Sequence, residues 1–316
     1  MTATHAADAP PARSGSLARR LARYQAVRFP LAAYLPLIAL AAFSAIAYSR
    51  AAREATGLVS AGAYLVCAFT LLAGFCTLRV ADEHKDADTD RRHRPHLPVP
   101  SGVVTLRELR MVAGVLVVAA AALNALLDAA LLVPLLIVAA WVALMTREFF
   151  VRDWLRVRPV PYLLSHMVVM PLLFLYASSV DWLAAGAGAP RQLGVFLAAV
   201  FASGLALEIG RKVRAPGEER PGVETYSGHW GERTAAIIWV AAVVVGGTLV
   251  AVAGAQMRSA WTPRLALVAT LLVAFAALPA LRGAPGRSGR RVELAGGLWN
   301  LIAFALLALP WLERLN

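Results

Sequence analysis

Charged side chains are scarce in this sequence. Only 16% of its 316 residues are Asp, Glu, Lys or Arg, whereas 59% are hydrophobic. A soluble domain carries roughly 25% charged residues, so this composition excludes an ordinary water-soluble fold. Internal repeats, a phosphate-binding P-loop pattern and a glycine-rich dinucleotide fingerprint are also absent from the sequence. Their absence argues against repeat proteins and against the nucleotide-binding enzymes that use those motifs.

Cysteine is nearly absent as well. The two cysteines, Cys67 and Cys76, are nine positions apart in one predicted helix. That separation along the helix axis is too large for a disulfide bond between them. We therefore interpret both as packing residues.

Long apolar runs dominate the chain. A helix needs roughly 20 mostly apolar residues to cross a hydrocarbon core of about 30 Å, and runs of that length recur throughout the sequence. Charge clusters, prolines and glycines separate the runs, as expected where helices end and restart. We predict an all-α, polytopic membrane protein whose nine transmembrane helices cover residues 29–49, 57–80, 108–127, 129–146, 160–180, 190–208, 234–254, 263–282 and 292–312.

The basic residues predict the orientation of these helices. With the N-terminus in the cytoplasm, 25 of the 31 Lys and Arg residues lie in cytoplasmic segments and six lie outside, in agreement with the positive-inside rule. We therefore expect a multi-pass protein of the plasma or inner membrane and no nucleic-acid partner, despite the net charge of +12. Residues 1–28 are predicted to form a basic segment, with an interfacial helix from Leu17 to Phe29, ahead of a membrane domain over residues 29–316.

One cytoplasmic loop concentrates acids. Five carboxylates fall within residues 82–90. If the second helix continues through this stretch, Glu83, Asp86 and Asp90 project from one face, as do Asp82, Asp86 and Asp90. Such a cluster needs a cation, and hard oxygen ligands open to solvent suit Mg²⁺ bound together with substrate phosphates. The alternative is a solvated helix end in which acids and arginines neutralise one another.

This loop resembles the first signature of the UbiA superfamily of membrane prenyltransferases, Asn/Asp-Asp-x-x-Asp-x-x-x-Asp followed by a proline-rich tail. Asp82 matches the leading position, and Glu83, Asp86 and Asp90 match the metal-binding aspartates, with Glu in place of the first. Residues 94–102 match the tail. The resemblance implies a nine-helix bundle with both motif loops on the cytoplasmic side, Mg²⁺ as cofactor and a prenyl diphosphate as substrate, with Asp86 and Asp90 as catalytic residues.

A second polar loop follows the sixth predicted span. Residues 217–225 match the end of the second UbiA signature, Gly-Asp-x-x-x-Gly-x-x-Thr, but the aspartates expected upstream fall on Arg211 and Arg214. Guanidinium groups bind phosphate oxygens in bidentate fashion, so this exchange would turn part of a metal-mediated phosphate contact into a direct one. An ordinary positive-inside loop is the alternative, although such a loop has no need of four glutamates.

These patterns predict three sets of site residues. The predicted metal ligands are Asp82, Glu83, Asp86, Asp90, Glu208, Glu218 and Glu219. The predicted diphosphate-binding residues are Lys85, Arg94, Arg211, Lys212 and Arg214. The candidate substrate contacts are Tyr226, Arg147 and His166. Arg147 lies in a loop that is also typical of an interfacial anchor. His166 is an ionisable group inside the fifth span, and a neutral histidine bonded to a neighbouring backbone carbonyl is the alternative.

The sequence therefore predicts a Mg²⁺-dependent prenyltransferase. An allylic prenyl diphosphate would ionise, and an unidentified small or lipid acceptor would trap the carbocation. Two alternatives stay open. A membrane terpene cyclase of the same superfamily would cyclise that cation without an acceptor. An ion-coupled transporter would need acids near the membrane midplane, and the predicted spans contain essentially none away from their ends.

Overall fold

The computed structural model describes residues 15–57, 59–219, 223–283 and 288–315, and these residues form helices without any strand. The α-helices are α1 (Leu17–Arg28), α2 (Leu31–Ala52), α3 (Ala61–Lys85), α4 (Ala87–His93), α5 (Leu106–Leu127), α6 (Leu132–Thr146), α7 (Arg152–Arg156), α8 (Pro159–Met167), α9 (Val169–Trp182), α10 (Leu193–Arg211), α11 (Tyr226–Trp230), α12 (Glu232–Gln256), α13 (Thr262–Ala274), α14 (Leu278–Leu281) and α15 (Ser288–Leu312). Short 3-10 helices cover Ala129–Leu131, Glu148–Phe150, Pro216–Glu218 and Phe275–Ala277.

Nine segments of the described chain are long and apolar enough to cross a membrane. Six are single helices: α2, α3, α5, α10, α12 and α15. The other three are composite: residues 129–146 include α6, residues 159–182 join α8 to α9, and residues 262–281 join α13 to α14. Each segment coincides with one predicted span, and the ends differ by five residues at most. The prediction of a polytopic all-α membrane protein is confirmed.

Large aromatic side chains fill the centre of the bundle. Trp239 on α12 and Trp299 on α15 are fully buried. The Trp239 indole donates a hydrogen bond to the Ala206 carbonyl on α10 at 2.8 Å. Gly210 lies against the same indole, where an added methyl group would be 2.8 Å from the ring nitrogen. These three helices therefore pack with their backbones close together.

Ion pairs between side chains near the helix ends identify which of these ends meet. At one end, Arg50 of α2 pairs with the buried carboxylate of Asp181 on α9 at 2.9 Å. At the other end, Lys85 of α3 lies 3.5 Å from Glu148, which follows α6. We call this second end the motif end, because it carries both acidic loops.

The N-terminal helix α1 packs on the motif end. Tyr24 is buried in a small apolar cluster with Val80 of α3 and Leu109 of α5. Arg20 donates to both carboxylate oxygens of Glu108, at 3.0 and 2.7 Å. The helix predicted for Leu17 to Phe29 is thus present, and it is part of the same packed structure as the spans.

Candidate functional site

The first acidic motif lies at the end of α3 and in α4. The helix continues past the predicted end of the second span, as expected, but it is interrupted at Asp86 between α3 and α4. The four predicted metal ligands of this motif fall into two pairs with different surroundings. The interruption of the helix and the packing of α1 determine which pair of acids is buried against α1 and which is not.

Glu83 and Asp90 form the first pair, which we call the closed face. Both are buried. One Glu83 carboxylate oxygen lies 2.6 Å from Nε of Arg28 and 2.9 Å from Nη2 of Arg79. Asp90 is ion-paired with Arg94 and lies 3.7 Å from Nη2 of Arg28. Arg28, the last residue of α1, therefore bridges the two acids.

Neighbouring side chains of the protein compensate the buried negative charge of the closed face. Burial raises the pKa of Asp90, and the positive charges of Arg94 and Arg28 oppose that rise. Burial also raises the pKa of Tyr24, which stays neutral and donates its hydroxyl to Glu83 at 3.4 Å. The role of Glu83 and Asp90 as metal ligands stays a prediction. In this structure arginines offset their charge, as in the alternative interpretation of this stretch, and one of them, Arg28, comes from the N-terminal helix, which the sequence did not indicate.

Asp82 and Asp86 form the second pair, which we call the open face. The Asp82 side chain is 58% exposed, and its contact with Arg79 is long, at 3.9 Å. Its charge interacts with those of Asp86 and of Glu208 on α10. The Asp82 carboxylate therefore lies near Glu208 in the last turn of α10.

The last turn of α10 supplies the other side of the site. Glu208 lies 2.9 Å from the ammonium of Lys212 and 3.5 Å from the guanidinium of Arg211. The Lys212 ammonium also lies 5.5 Å from the ring centroid of Tyr226. Tyr226 is buried, which raises its pKa, and its backbone N–H donates to the Lys212 carbonyl at 3.0 Å. Predicted residues of the second motif thus meet near the open face.

Glu218 and Glu219 bind partners within and beside their own loop. The Glu218 carboxylate accepts a hydrogen bond from the backbone N–H of Gly289 at 3.2 Å. The Glu219 carboxylate accepts the hydroxyl of Thr225 at 2.7 Å. These contacts hold the loop against the start of α15 and the start of α11.

Three predicted contacts with diphosphate or substrate have other surroundings. Arg94 pairs with Asp90 on the closed face. Arg214 pairs with Glu293 of α15 at 3.3 Å. Arg147 is exposed. Their predicted roles are untested, but the structure does not bring these three side chains together at the open face.

Beside the open face lies a cluster that includes one residue the sequence analysis missed. Lys85 lies 3.5 Å from Glu148 and 4.3 Å from the ring centroid of Tyr162. His166 stacks on Tyr162 with ring centroids 3.9 Å apart, and its Nε2 lies 3.6 Å from Glu148. The charged groups of Lys212 and Glu208 also lie close enough to act on the His166 imidazole. The predicted candidate His166 thus lies beside both motifs. Glu148, next to the predicted Arg147, is the residue of this cluster that the sequence did not indicate.

The open face fits a magnesium ion bound together with a diphosphate. Mg²⁺ is usually held by one or two carboxylates, several waters and substrate phosphates, and Asp82 and Asp86 are two carboxylates of that kind. Within the described ranges, no three His, Cys, Asp or Glu side chains converge into a ready-made metal cage. The donor set therefore suits an ion whose coordination a substrate completes.

No family model and no curated protein matches this sequence. Among solved structures, the apo form of a UbiA homologue from Aeropyrum pernix K1 is similar with a TM-score of 0.64 and 15% identity, over 89% of this chain and 98% of that one. A structure of digeranylgeranylglyceryl phosphate synthase is similar with a TM-score of 0.61 and 14% identity, over 93% of this chain and 99% of the other. The chain therefore has the fold of the UbiA superfamily, which confirms the fold predicted from the resemblance of its first acidic motif.

Proposed function

We propose that this chain is a Mg²⁺-dependent membrane prenyltransferase of the UbiA superfamily, transferring an isoprenoid chain from a prenyl diphosphate to a small or lipid acceptor. One observation carries this proposal. The Asp82 carboxylate of the first motif interacts electrostatically with Asp86 and with Glu208 of the second, and Glu208 pairs with Lys212 at 2.9 Å, although more than a hundred residues separate the two motifs. Carboxylates for a metal ion and cations for phosphate oxygens are thus gathered at one end of an apolar bundle.

The residues have complementary roles. Asp82 and Asp86 hold Mg²⁺, which when bound together with the diphosphate offsets the negative charge that grows on this leaving group. Lys85 and Lys212 bind diphosphate oxygens directly. Each lysine is held in place by a carboxylate and a tyrosine ring, so both cations are positioned before substrate binds.

The reaction begins with the allylic C–O bond of the substrate. As this bond breaks, its electron pair leaves with the diphosphate, and the positioned lysines stabilise the developing charge. The allylic cation then reacts with the acceptor. The surrounding apolar helices exclude water, which would otherwise quench the cation.

The charge distribution supports a cytoplasmic location for this site. The motif end carries the basic loops, so the positive-inside rule orients it toward the cytoplasm of a plasma or inner membrane. Prenyl diphosphate would then enter from the cytoplasmic side, while the isoprenoid chain lies among the apolar helices.

The test compares two acids of the same motif. Purified protein is incubated with geranyl, farnesyl and geranylgeranyl diphosphate, with and without Mg²⁺, with and without aromatic acceptors, and released diphosphate and prenylated products are measured. Asp86→Ala should reduce diphosphate release by about 100-fold or more, since it removes a charge that acts on the leaving group. The control, Asp88→Ala, alters an exposed acid that pairs with the exposed Arg91, and should behave as wild type.

Two results would change the proposal. Full diphosphate release by Asp86→Ala would contradict the assigned site. Terpene release by the wild-type protein with prenyl diphosphate and Mg²⁺ alone would indicate the cyclase reaction instead.

A further inference from the structure

The short turn after α6 has an unusual backbone. Three consecutive residues other than glycine, Glu148, Phe149 and Phe150, have positive φ values of 49°, 53° and 60°. Left-handed backbone is sterically unfavourable for every residue that carries a Cβ atom. Conformations of this kind persist only where the surroundings hold them, and they cluster at functional sites.

The turn directs one acid inward. The Glu148 side chain is 12% exposed and faces Lys85 and His166, whereas Phe150 is 73% exposed. Phe149 packs edge-to-face against Trp141 and His166, with ring centroids 5.3 and 5.9 Å away. The aromatic packing of Phe149 therefore maintains the strained turn. As a result, the Glu148 carboxylate lies beside His166.

The hydrogen bonds of His166 determine which of its ring nitrogens can accept a proton beside Glu148. Its Nδ1 lies 2.9 Å from the carbonyl oxygen of Tyr162 and 3.3 Å from the hydroxyl oxygen of Ser165, whose own hydrogen is donated to that carbonyl at 3.0 Å. A carbonyl only accepts, so Nδ1 carries the hydrogen and, in the neutral ring, Nε2 presents a lone pair. Nε2 faces a Glu148 oxygen at 3.6 Å, which is too far for a direct hydrogen bond. Two proton acceptors thus converge without a donor between them.

We propose that Glu148 and His166 form the proton-accepting site for the acceptor, and that the acceptor is a compound with a hydroxyl group. This inference rests on the proposed function and deepens it. A hydroxyl supplies the donor that this pair lacks. Lys85 contacts the other Glu148 oxygen and borders the open face, so the hydroxyl is held next to the diphosphate.

The transfer step balances with these groups. The C–O bond between the prenyl chain and the diphosphate breaks, and its electron pair leaves with the diphosphate. The acceptor oxygen forms the new bond to the same carbon. The hydroxyl proton passes to Nε2 of His166, and the adjacent Glu148 carboxylate stabilises the imidazolium that results.

Two phenols of different acidity test this step. The probes are 4-ethylphenol, which is un-ionised near pH 8, and 4-nitrophenol, which is largely ionised there and needs no base. His166→Gln and Glu148→Gln should slow transfer to 4-ethylphenol by about 100-fold, the range of general base catalysis. In His166→Gln, transfer to 4-nitrophenol should change little, and affinity for prenyl diphosphate should match that of wild type. Glu148→Gln also removes the carboxylate that holds Lys85, so it should weaken diphosphate binding as well. Asp153→Asn is the matched control, because it neutralises an exposed acid near the same turn.

The outcomes separate this inference from the proposed function. In His166→Gln, equal loss with both phenols, or no loss with either, overturns the proton-accepting role, as does a wild-type protein that releases diphosphate but prenylates neither phenol. Unchanged transfer to 4-ethylphenol in Glu148→Gln overturns the role of that carboxylate. A wild-type protein that binds no prenyl diphosphate refutes the proposed function itself. Should His166→Gln fail to fold, as judged by thermal melting, His166→Asn serves in its place with the same expectations.

Discussion

The closed and open faces of the first acidic motif share one short stretch of chain, yet they have opposite surroundings. Glu83 and Asp90 are buried against arginines, and Arg28 of α1 touches both. Asp82 is exposed, and its charge interacts with those of Asp86 and of Glu208 in the second motif. Burying a carboxylate costs several kcal/mol unless a cation compensates it. The difference shows that the packing partner, rather than the spacing of the acids, decides whether a motif acid is neutralised by the protein or is available to a ligand.

The largest expected effect concerns the open face. Asp82→Asn should lower Mg²⁺-dependent cleavage of farnesyl diphosphate by about 100-fold, because it removes one of two carboxylates that face the diphosphate. Diphosphate release measured over a range of Mg²⁺ concentrations checks this prediction. Asp88→Asn, at an exposed position of the same motif, is the control and should leave the rate unchanged. A rate equal to wild type in Asp82→Asn would mean that the open face is not the metal side.

The next effect concerns the stability of the closed face. Arg28→Ala leaves two buried carboxylates with one cation fewer, and losing one partner of a buried ion pair costs about 3–5 kcal/mol. We expect the melting temperature of the detergent-solubilised protein to fall clearly below that of wild type. Arg23→Ala removes an exposed arginine from the same helix and should melt as wild type does. Equal melting of the two variants would show that Arg28 does not compensate the closed face.

A smaller effect separates two basic residues of the second motif. Lys212 lies beside Glu208 near the open face, whereas Arg214 pairs with Glu293 of α15. Lys212→Gln should weaken binding of prenyl diphosphate by about tenfold, the loss of one charge-assisted hydrogen bond. Arg214→Gln should change affinity little. Equilibrium binding measured with both variants checks the difference, and the reverse order would restore the direct guanidinium contact that the sequence predicted.

The smallest effect concerns the strained turn that directs Glu148 toward Lys85 and His166. Glycine accepts positive φ without a steric penalty, so Phe150→Gly should relieve about 1–2 kcal/mol of strain and lose about 0.5–1 kcal/mol through the greater freedom of the unfolded chain. We expect a slightly higher melting temperature and unchanged prenyl transfer. A clear decrease in melting temperature would show that the aromatic side chain, although exposed, stabilises the turn.

Much of the fold follows from sequence because each span must be apolar over its own length. All nine described spans coincide with predicted ones for that reason. The pattern also predicts Asp82, Asp86 and Glu208 as site residues, and the structure brings Asp82 near the other two. The role of Arg28 could not be predicted, since its contact with Glu83 spans 55 positions and depends on how α1 docks. Glu148 was missed because left-handed backbone at residues other than glycine has no sequence signal.

The most direct measurement compares the two faces as matched pairs. Binding of the unreactive analogue farnesyl thiolodiphosphate is measured with and without Mg²⁺ for wild type, for Asp82→Asn/Asp86→Asn, and for Glu83→Gln/Asp90→Asn. Mg²⁺ should strengthen binding to wild type and to the closed-face variant, and it should have no effect on the open-face variant. Loss of the Mg²⁺ effect in the closed-face variant, with retention in the open-face variant, would contradict the division of the motif into a ligand side and a protein side.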